Sequence, residues 1–462
     1  MVHEVVVVGG GIGGLTVAAL LAARGVDVCL LERGSQLGGV VASVESFGYT
    51  FDPGVGIYPG WEAGGIHDRV FAQLPVPPPQ VQRDTPAYVV RLPDGLDVPV
   101  SGTDDEFFAV LQSAFPDSAK SAVAFYRQCS KAVAAVESGN PPTTQVLSTY
   151  LADASPGFRQ FIDAQLQLLT QSSSGTCNLA RGALALTIPR RGNFAIQGGA
   201  AALAEQLAEA IRESGGRIRL NTPVLRLAFD STGRAQGVDL LTGETVAASR
   251  AIISNLTIWD TFGKLIGLNR TPLEIRKALT SVKGWGTYLI YLGIDESVTA
   301  NLPATRILAL HEKQNVFDPE SQLMFAATPK WDPRAPSGKR AVTVLTFTDV
   351  EDWFTFHESV DELQNADQAK LEVVWQRLHQ TLPELGDHSE VIETATPLDS
   401  YEGTRRKLGM VGWPGLPPRL LPTDGSTYLE NVFVVGDTVA SGLGIAGVTE
   451  ASLALANKLA EK

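Results

Sequence analysis

Cysteine and histidine are scarce in this chain, whose 462 residues include 3 Cys and 6 His. Cys29, Cys129 and Cys177 are scattered, without a C-x-x-C pair or a histidine at ligand spacing. Neither a disulfide framework nor a zinc site is therefore predicted, and we expect buried thiols and no metal. The histidines that form no spaced pair suggestive of a metal are His67, His311, His357, His379 and His388.

Long hydrophobic runs and an excess of positive charge are also missing. No stretch reaches the roughly 18 unbroken apolar residues that a membrane-spanning helix needs. The apolar run near the N-terminus lacks the basic leader and cleavage site of a signal peptide. Lys plus Arg total 37 against 50 Asp plus Glu, and the net charge of −13 opposes binding to a phosphate backbone. We expect a soluble, cytoplasmic protein without a nucleic-acid partner.

Apolar residues and glycine, by contrast, are plentiful. Hydrophobic residues make up 44% and charged residues 19%, which is typical of a well-packed globular protein, and the length predicts two or more domains. Near the N-terminus lies the run "VVVVGGGIGGL", from Val5 to Leu15. A continuous rather than alternating apolar run predicts a strand buried on both faces, in the middle of a parallel sheet.

The glycines after this strand have the spacing of a nucleotide-binding turn. Gly9, Gly11 and Gly14 fit G-x-G-x-x-G, and an apolar segment typical of a helix follows. In such a unit the glycines allow a tight turn, close approach to a pyrophosphate, and packing of helix on strand. A second apolar run, "VDVCLLER", contains Glu32, 18 positions beyond Gly14, near the spacing at which an acid binds a ribose hydroxyl. The order predicts a site for an adenine dinucleotide.

Later segments indicate that the cofactor domain is resumed twice. The second strand leads to a Gly38–Gly39 pair rather than to regular strand–helix alternation. Residues 198–255 contain a helix that we expect to stop at Gly215, followed by short strands and turns. Near the C-terminus an apolar strand leads to Gly436–Asp437, a glycine loop and a closing helix. The loop "GLGIAG" also fits the glycine motif, but the residues after it are too few for a second nucleotide unit.

In this order, the pieces resemble the flavin amine oxidase superfamily, and "RLPDG", "YLGID" and "GMVGWPGLPP" resemble its phytoene desaturase and carotenoid isomerase-like branch. The resemblance implies non-covalent FAD and an α/β fold. A Rossmann-like FAD-binding domain, discontinuous in sequence, would comprise residues 1–73, 190–255 and 421–462. A mixed-sheet plus helical substrate domain would comprise residues 74–189 and 256–420.

The resemblance also implies a set of cofactor contacts. The glycine motif would cradle the pyrophosphate, Glu32 would hold the adenosine ribose, and Val224 would pair its backbone with adenine. The closing helix would aim its amides at the flavin pyrimidine ring. The family often has a basic residue after the Gly-Gly pair, whereas this chain has Val40, so a phosphate contact is missing or comes from Arg33. The implied cofactor-binding residues are Gly9, Gly11, Ile12, Gly13, Gly14, Glu32, Arg33, Gly38, Gly39, Val224, Gly436, Asp437, Gly447 and Val448.

The substrate segments contain two predicted helix starts. Thr103 and Glu106 form a capping box before an apolar helix, and Ser155 precedes another helix. Four residues of that second helix form an apolar stripe that we interpret as core, with contact to a lipid-like ligand as the alternative: Phe158, Phe161, Ile162 and Leu166.

The expected substrate is a hydrophobic, carotenoid-like polyene. The C-terminal glycine loop carries Leu443 and Ile445 where amine oxidases tend to place aromatic residues that cage a cation. The expected reaction is desaturation by hydride transfer to flavin N5, or flavin-dependent cis/trans isomerisation. Amine or protoporphyrinogen oxidation and a non-catalytic lipid or prenyl carrier stay open, as do peripheral membrane contact and the oligomeric state.

No catalytic side chain is predicted, because the cofactor and the polyene carry the chemistry. Lys283 is a candidate for holding a water near N5, although a solvated lysine at a strand end is the simpler interpretation. Arg405 and Arg406 are candidates for neutralising a polar substrate end, with a solvated basic turn as the simpler interpretation.

Overall fold

The computed structural model describes residues 2–54, 56–140, 145–281, 284–311, 315–354, 360–409, 424–439 and 444–460. The strands are β1 (Val2–Val8), β2 (Val28–Leu31), β3 (Val44–Ser46), β4 (Tyr49–Phe51), β5 (Val81–Arg83), β6 (Tyr88–Arg91), β7 (Asp97–Val100), β8 (Phe194–Ile196), β9 (Arg217–Arg219), β10 (Val224–Phe229), β11 (Ala235–Leu240), β12 (Thr245–Ser254), β13 (Gly286–Asp295), β14 (Arg306–Leu310), β15 (Gln322–Ala327), β16 (Lys339–Thr348), β17 (Ser389–Ala395) and β18 (Val432–Val434). The helices are α1 (Ile12–Ala23), α2 (Ile66–Phe71), α3 (Asp104–Ala114), α4 (Ala119–Glu137), α5 (Pro156–Thr170), α6 (Leu179–Arg191), α7 (Ala200–Glu213), α8 (Ile258–Asp260), α9 (Leu273–Ser281), α10 (Glu351–Phe354), α11 (Val360–Thr381), α12 (Pro397–Thr404) and α13 (Gly444–Ala460).

The first sheet has β1 at its centre, in the order β10-β11-β12-β1-β2-β9. β1 pairs in parallel with β12 on one side and with β2 on the other, and β18 pairs in parallel with the end of β12. Val5, Val6 and Val7 are fully buried. This confirms the central parallel strand that the continuous apolar run predicted.

Three helices cover one face of this sheet. α1, α7 and α13 share a core with β1 and β2, in which Leu15, Leu203, Leu207 and Leu455 are buried. α7 ends at Glu213 with Ser214 as its C-cap, and Gly215 follows in the left-handed conformation, with φ +81°, as expected for a C-terminal glycine. The α/β class expected from the sequence is confirmed.

The second sheet is mixed and has the order β17-β13-β16-β15-β14-β6-β7. Its long central strands, β13 and β16, pair in antiparallel register from Gly286–Thr348 to Asp295–Lys339. One face shares a core with α3, α4, α5 and α6, and the other packs against α11. The sheet therefore separates a helical layer from a single long helix.

Both predicted helix starts are present. The Thr103 hydroxyl and the Glu106 carboxylate form a capping box at α3, and Ser155 caps α5. Phe158 and Phe161 of the α5 stripe are fully buried in the core with α3 and α4. The interpretation of that stripe as core is confirmed.

Residues 258–281, which were expected in the substrate domain, pack against the first sheet. The residues over 258–281, from α8 to α9, bury Ile258, Phe262 and Ile275 against the first sheet. The expected domain boundary lies at residue 255. The domain boundaries stay a prediction, and the packing shows only that residues 258–281 contact the first sheet.

Candidate functional site

The carboxyl ends of four parallel strands meet at one edge of the first sheet. β1, β2, β12 and β18 end there, and a cavity of about 1470 Å³ opens from this edge toward the second sheet. In open α/β sheets, ligands bind outside the carboxyl ends of the strands. All of the predicted cofactor residues line the cavity except Gly14 and Gly447.

The glycine turn leaves no room for side chains. A Cβ at Gly14 would lie 2.2 Å from the carbonyl oxygen of Gly9, and a Cβ at Gly11 would lie 2.6 Å from Nδ2 of Asn255. Gly9 itself has φ +101°, which favours glycine. Gly14 thus lies behind the turn, where it lets α1 approach β1, and Gly11 and Gly13 face the cavity.

α1 presents its positive end to the cavity. The helix begins after Gly11, and the backbone N–H groups of Ile12 and Gly13 lack intrahelical acceptors, as in the first turn of any helix. No side chain at the N-cap position accepts from them. Such groups, together with the helix dipole, favour an anion. The turn and the helix start therefore form a cradle suited to a phosphate.

Glu32 lies next to this cradle, directly after β2. Its Oε2 accepts the Gly10 N–H at 2.7 Å, and its Oε1 accepts the Gly34 N–H at 2.8 Å. The backbone therefore fixes the carboxylate at the end of β2, and its contact with a ribose stays a prediction.

The Gly38–Gly39 turn is tied to the glycine motif, since the Gly38 N–H donates to the Gly10 carbonyl at 2.8 Å. Val40 follows on the cavity rim and is 45% exposed. The guanidinium of Arg33 donates to the carbonyl of Glu402 at 3.0 Å and also to that of Gly403. The guanidinium of Arg33 therefore contacts the end of α12.

Asp437 follows Gly436 at the end of β18 and is paired with Arg406. The Arg406 Nη1 donates to Oδ2 of Asp437 at 2.7 Å, and Nη2 donates to Oδ1. The interpretation of Arg406 as part of a solvated turn is wrong, because α12 directs this side chain into the cavity, where it is 13% exposed. Arg405 is exposed, as that interpretation expected.

The N-terminal turn of α13 lies against the glycine cradle. Gly444, Ile445 and Val448 line the cavity. Further along the helix, the Ser452 hydroxyl donates to the Gly13 carbonyl at 3.2 Å. Gly447 lies on the same turn but does not line the cavity. The positive ends of α1 and α13 therefore converge at the cavity.

Asn255 belongs to the site although the sequence analysis did not select it. It follows β12 directly, lines the cavity, and lies next to Gly11, Gly13 and Gly436. Its Oδ1 is buried and accepts no hydrogen bond from the described residues. Its place after an apolar parallel strand was the available signal. Val224, at the start of β10, also lines the cavity.

The part of the wall contributed by β13 and β16 is largely apolar. Leu289 and Tyr291 on β13 and Leu345 and Phe347 on β16 line the cavity, and all four are buried. Burial, and then the carboxylate of Glu393, raise the pKa of Tyr291 above its usual range. The phenol therefore stays neutral and does not serve as a base near pH 7.

Comparison with known proteins now identifies the family. The family model for flavin containing amine oxidoreductase matches residues 12–460. The chain belongs to this family. The chloroplastic prolycopene isomerase of Arabidopsis thaliana is 26% identical, over 99% of this chain and 82% of that protein. The carotenoid 3,4-desaturase of Haloarcula japonica is 41% identical, over 22% of this chain and 21% of that protein. An oxidoreductase from Methanosarcina mazei has a similar structure, with a TM-score of 0.70, 18% identity, and coverage of 98% of this chain and 99% of that one.

As a member of the flavin containing amine oxidoreductase family, the chain is an FAD-dependent oxidoreductase. Its residues fit that cofactor. The glycine turn excludes side chains, two helix N-termini face the cavity, and Asn255 offers a buried acceptor without a partner among the described residues. The fit rests on backbone shape and polarity at the edge of the first sheet.

Other expectations have separate outcomes. The three cysteines are free and buried, as predicted. Lys283, His357 and Leu443 lie outside the described residues. Within the described parts of the chain, none of the helices combines the length and apolar character needed to cross a bilayer.

Proposed function

We propose that this FAD-dependent oxidoreductase acts on a hydrophobic, carotenoid-like polyene, with cis/trans isomerisation favoured over desaturation. The observation that carries the proposal is the apolar wall of the cavity. Leu289, Leu345 and Phe347 lie on adjacent strands and line the same cavity as the glycine cradle. Apolar walls with few polar groups suit a hydrocarbon chain.

The relatives support the same substrate class, and they favour isomerisation over desaturation. The similarity to a prolycopene isomerase extends over 99% of this chain, whereas the similarity to a carotenoid 3,4-desaturase covers 22% of it. When bound, FAD supplies two-electron redox chemistry. The chain supplies positioning, a wall that excludes water, and the positive ends of α1 and α13, which stabilise negative charge.

One observation favours amine oxidation as a second candidate. The carboxylates of Asp367, Glu393 and Asp399 also line the cavity. Asp367 accepts hydrogen bonds from the hydroxyls of Tyr288, at 2.6 Å, and Thr394, at 2.9 Å. Carboxylates attract a cationic substrate, so the test includes amines.

The deciding experiment is anaerobic. The purified flavoprotein is mixed with a panel of carotenoids and then with amines, while the flavin absorption and the products are followed. Geometric isomers that form only after reduction of the flavin establish an isomerase. Loss of the flavin absorption on addition of a polyene, together with a product that has a new double bond, establishes a desaturase. Bleaching by amines alone overturns the polyene proposal and leaves the FAD site intact. A colourless protein that takes up no FAD indicates a carrier.

A pair of variants tests the apolar wall. Leu345→Thr places a hydroxyl on the cavity face of β16, and Val344→Thr places one on the opposite face, because side chains alternate along a strand. We expect Leu345→Thr to weaken binding of the polyene without changing binding of FAD, and Val344→Thr to change neither. Equal effects of the two variants on polyene binding would contradict this role of the wall.

A further inference from the structure

Two arginines bridge the cleft between the two sheets, one from each side. Arg406, which follows α12, forms a bidentate ion pair with Asp437 at the end of β18. Arg33, which follows β2, donates to the carbonyls of Glu402 and Gly403 in the last turn of α12. Carbonyls at that position lack intrahelical partners. α12 and the residues after it are therefore fastened to the cofactor edge of the first sheet at two points.

This segment also lies beside the turn that follows Gly38 of the expected cofactor site. α12 packs beside the 3-10 turn Gly39–Val41, which contains Val40. The diphosphate of FAD is anionic, and Asp437 is itself a carboxylate in the cavity lining. A carboxylate without compensation would repel the diphosphate.

Other cations that line the cavity have partners elsewhere. Arg226 pairs with Asp239 at 3.0 Å, and Lys264 pairs with Asp260 at 2.7 Å. Lys407 pairs with Glu351 at 2.8 Å. The other cations that the described residues contribute to the lining are Arg33, whose contacts are on α12, and Arg405, which lies over the ring of Tyr401. Arg406 differs in that its carboxylate partner belongs to the expected cofactor site.

We propose that Arg406 places its positive charge beside the diphosphate of FAD. Asp437 orients the guanidinium, and its own charge is compensated by the pair. The planar guanidinium suits this role because it can engage a carboxylate and a phosphate oxygen together. The proposal depends on FAD binding and not on the identity of the substrate.

The test compares Arg406→Met with Lys264→Met. Both variants remove one cation from the cavity lining and leave its carboxylate partner without it. The apoprotein is titrated with FAD at several salt concentrations, and Kd is measured from the flavin fluorescence. We expect Arg406→Met to raise Kd about 10- to 100-fold, the range for a hydrogen-bonded charged contact, and to reduce the salt dependence of Kd. Lys264→Met should stay within about threefold, as exposed pairs do.

A second background separates direct from indirect action. In Asp437→Asn, the substitution Arg406→Met should still raise Kd, since the guanidinium acts on the diphosphate itself. A Kd for Arg406→Met equal to that of the wild type, or an effect that vanishes in Asp437→Asn, would overturn the proposal. Loss of thermal stability without a change in Kd would do the same. Should Arg406→Met not fold, Arg406→Gln, which keeps a polar side chain and removes the charge, decides by the same criteria.

Discussion

Gly14→Ala tests the cradle most directly. The new Cβ would lie 2.2 Å from the Gly9 carbonyl oxygen, 3.1 Å from the Asn255 Cβ and 3.3 Å from the Val7 Cγ1. Ordinary van der Waals contacts of a Cβ are 3.4–4 Å, so the methyl group comes more than about 1 Å too close to the Gly9 oxygen. The backbone cannot yield freely, because the Gly9 N–H also donates to the Leu31 carbonyl at 2.8 Å.

The expected cost follows from two opposing effects. Overpacking costs about 1 to 3 kcal/mol, and a clash with backbone belongs at the upper end. Alanine recovers up to about 1 kcal/mol through its higher helix propensity. We therefore expect Gly14→Ala to lower the free energy of unfolding by about 2 kcal/mol. The clash exists without FAD, so the loss should appear when the apoprotein is unfolded with urea and followed by circular dichroism.

Two other glycines provide the comparison. A Cβ at Gly157 in α5 meets nothing within 4 Å, so Gly157→Ala should be neutral or slightly stabilising. A Cβ at Gly13 would lie 2.5 Å from Asn255 Oδ1 and from Val435 Cγ2. Because those side chains can move, Gly13→Ala should cost less than Gly14→Ala. An apoprotein of Gly14→Ala that unfolds at the wild-type urea concentration would refute the reasoning.

Three further predictions concern buried and capping groups. Burial raises the pKa of Cys29 to about 11, and it also raises the pKa values of Cys129 and Cys177, so no thiol should react with a disulfide reagent at pH 8 until the protein is denatured. Burial lowers the pKa of His67 to about 3. Between pH 6.5 and 3 only the unfolded state takes up the imidazole proton. The stability that the folded protein has above pH 6.5 is therefore partly lost as the pH falls. Urea unfolding should show a loss of about 1.4 kcal/mol at pH 5.5 that is absent in His67→Phe, and an equal loss in that variant would contradict the assignment. Thr103→Ala should cost about 1 kcal/mol in the same assay, whereas Thr103→Ser should cost little, and equal losses would count against the capping box.

Features encoded within one element were predictable from the sequence. The apolar run before Gly9 predicted a strand buried on both faces, and Thr103 predicted the start of α3 from spacing alone. The position of the cavity was also predictable, because parallel strands that end in glycine or acidic residues share one edge. Asn255 could have been found by the same reasoning.

Contacts that depend on how the two sheets are placed relative to each other were not predictable. Arg33 and Glu402 are 369 positions apart, and their hydrogen bond depends on where α12 lies over the first sheet. Arg406 and Asp437 are closer in sequence, but they belong to opposite sides of the cleft. A turn with two adjacent arginines is typical of a solvated surface, and periodicity does not reveal which of them points inward.

The late position of β18 in the chain has a consequence for biosynthesis. β18 begins 178 positions after the end of β12, its partner, and it is followed by Asp437 and α13. While residues 255–431 are being synthesised, the end of β12 has an unpaired edge, and the core of the first sheet lacks α13. Unpaired edges of this kind favour aggregation. The nascent chain therefore completes its FAD site only after the whole second sheet has been made, and cofactor supply during expression should affect the yield through this late step.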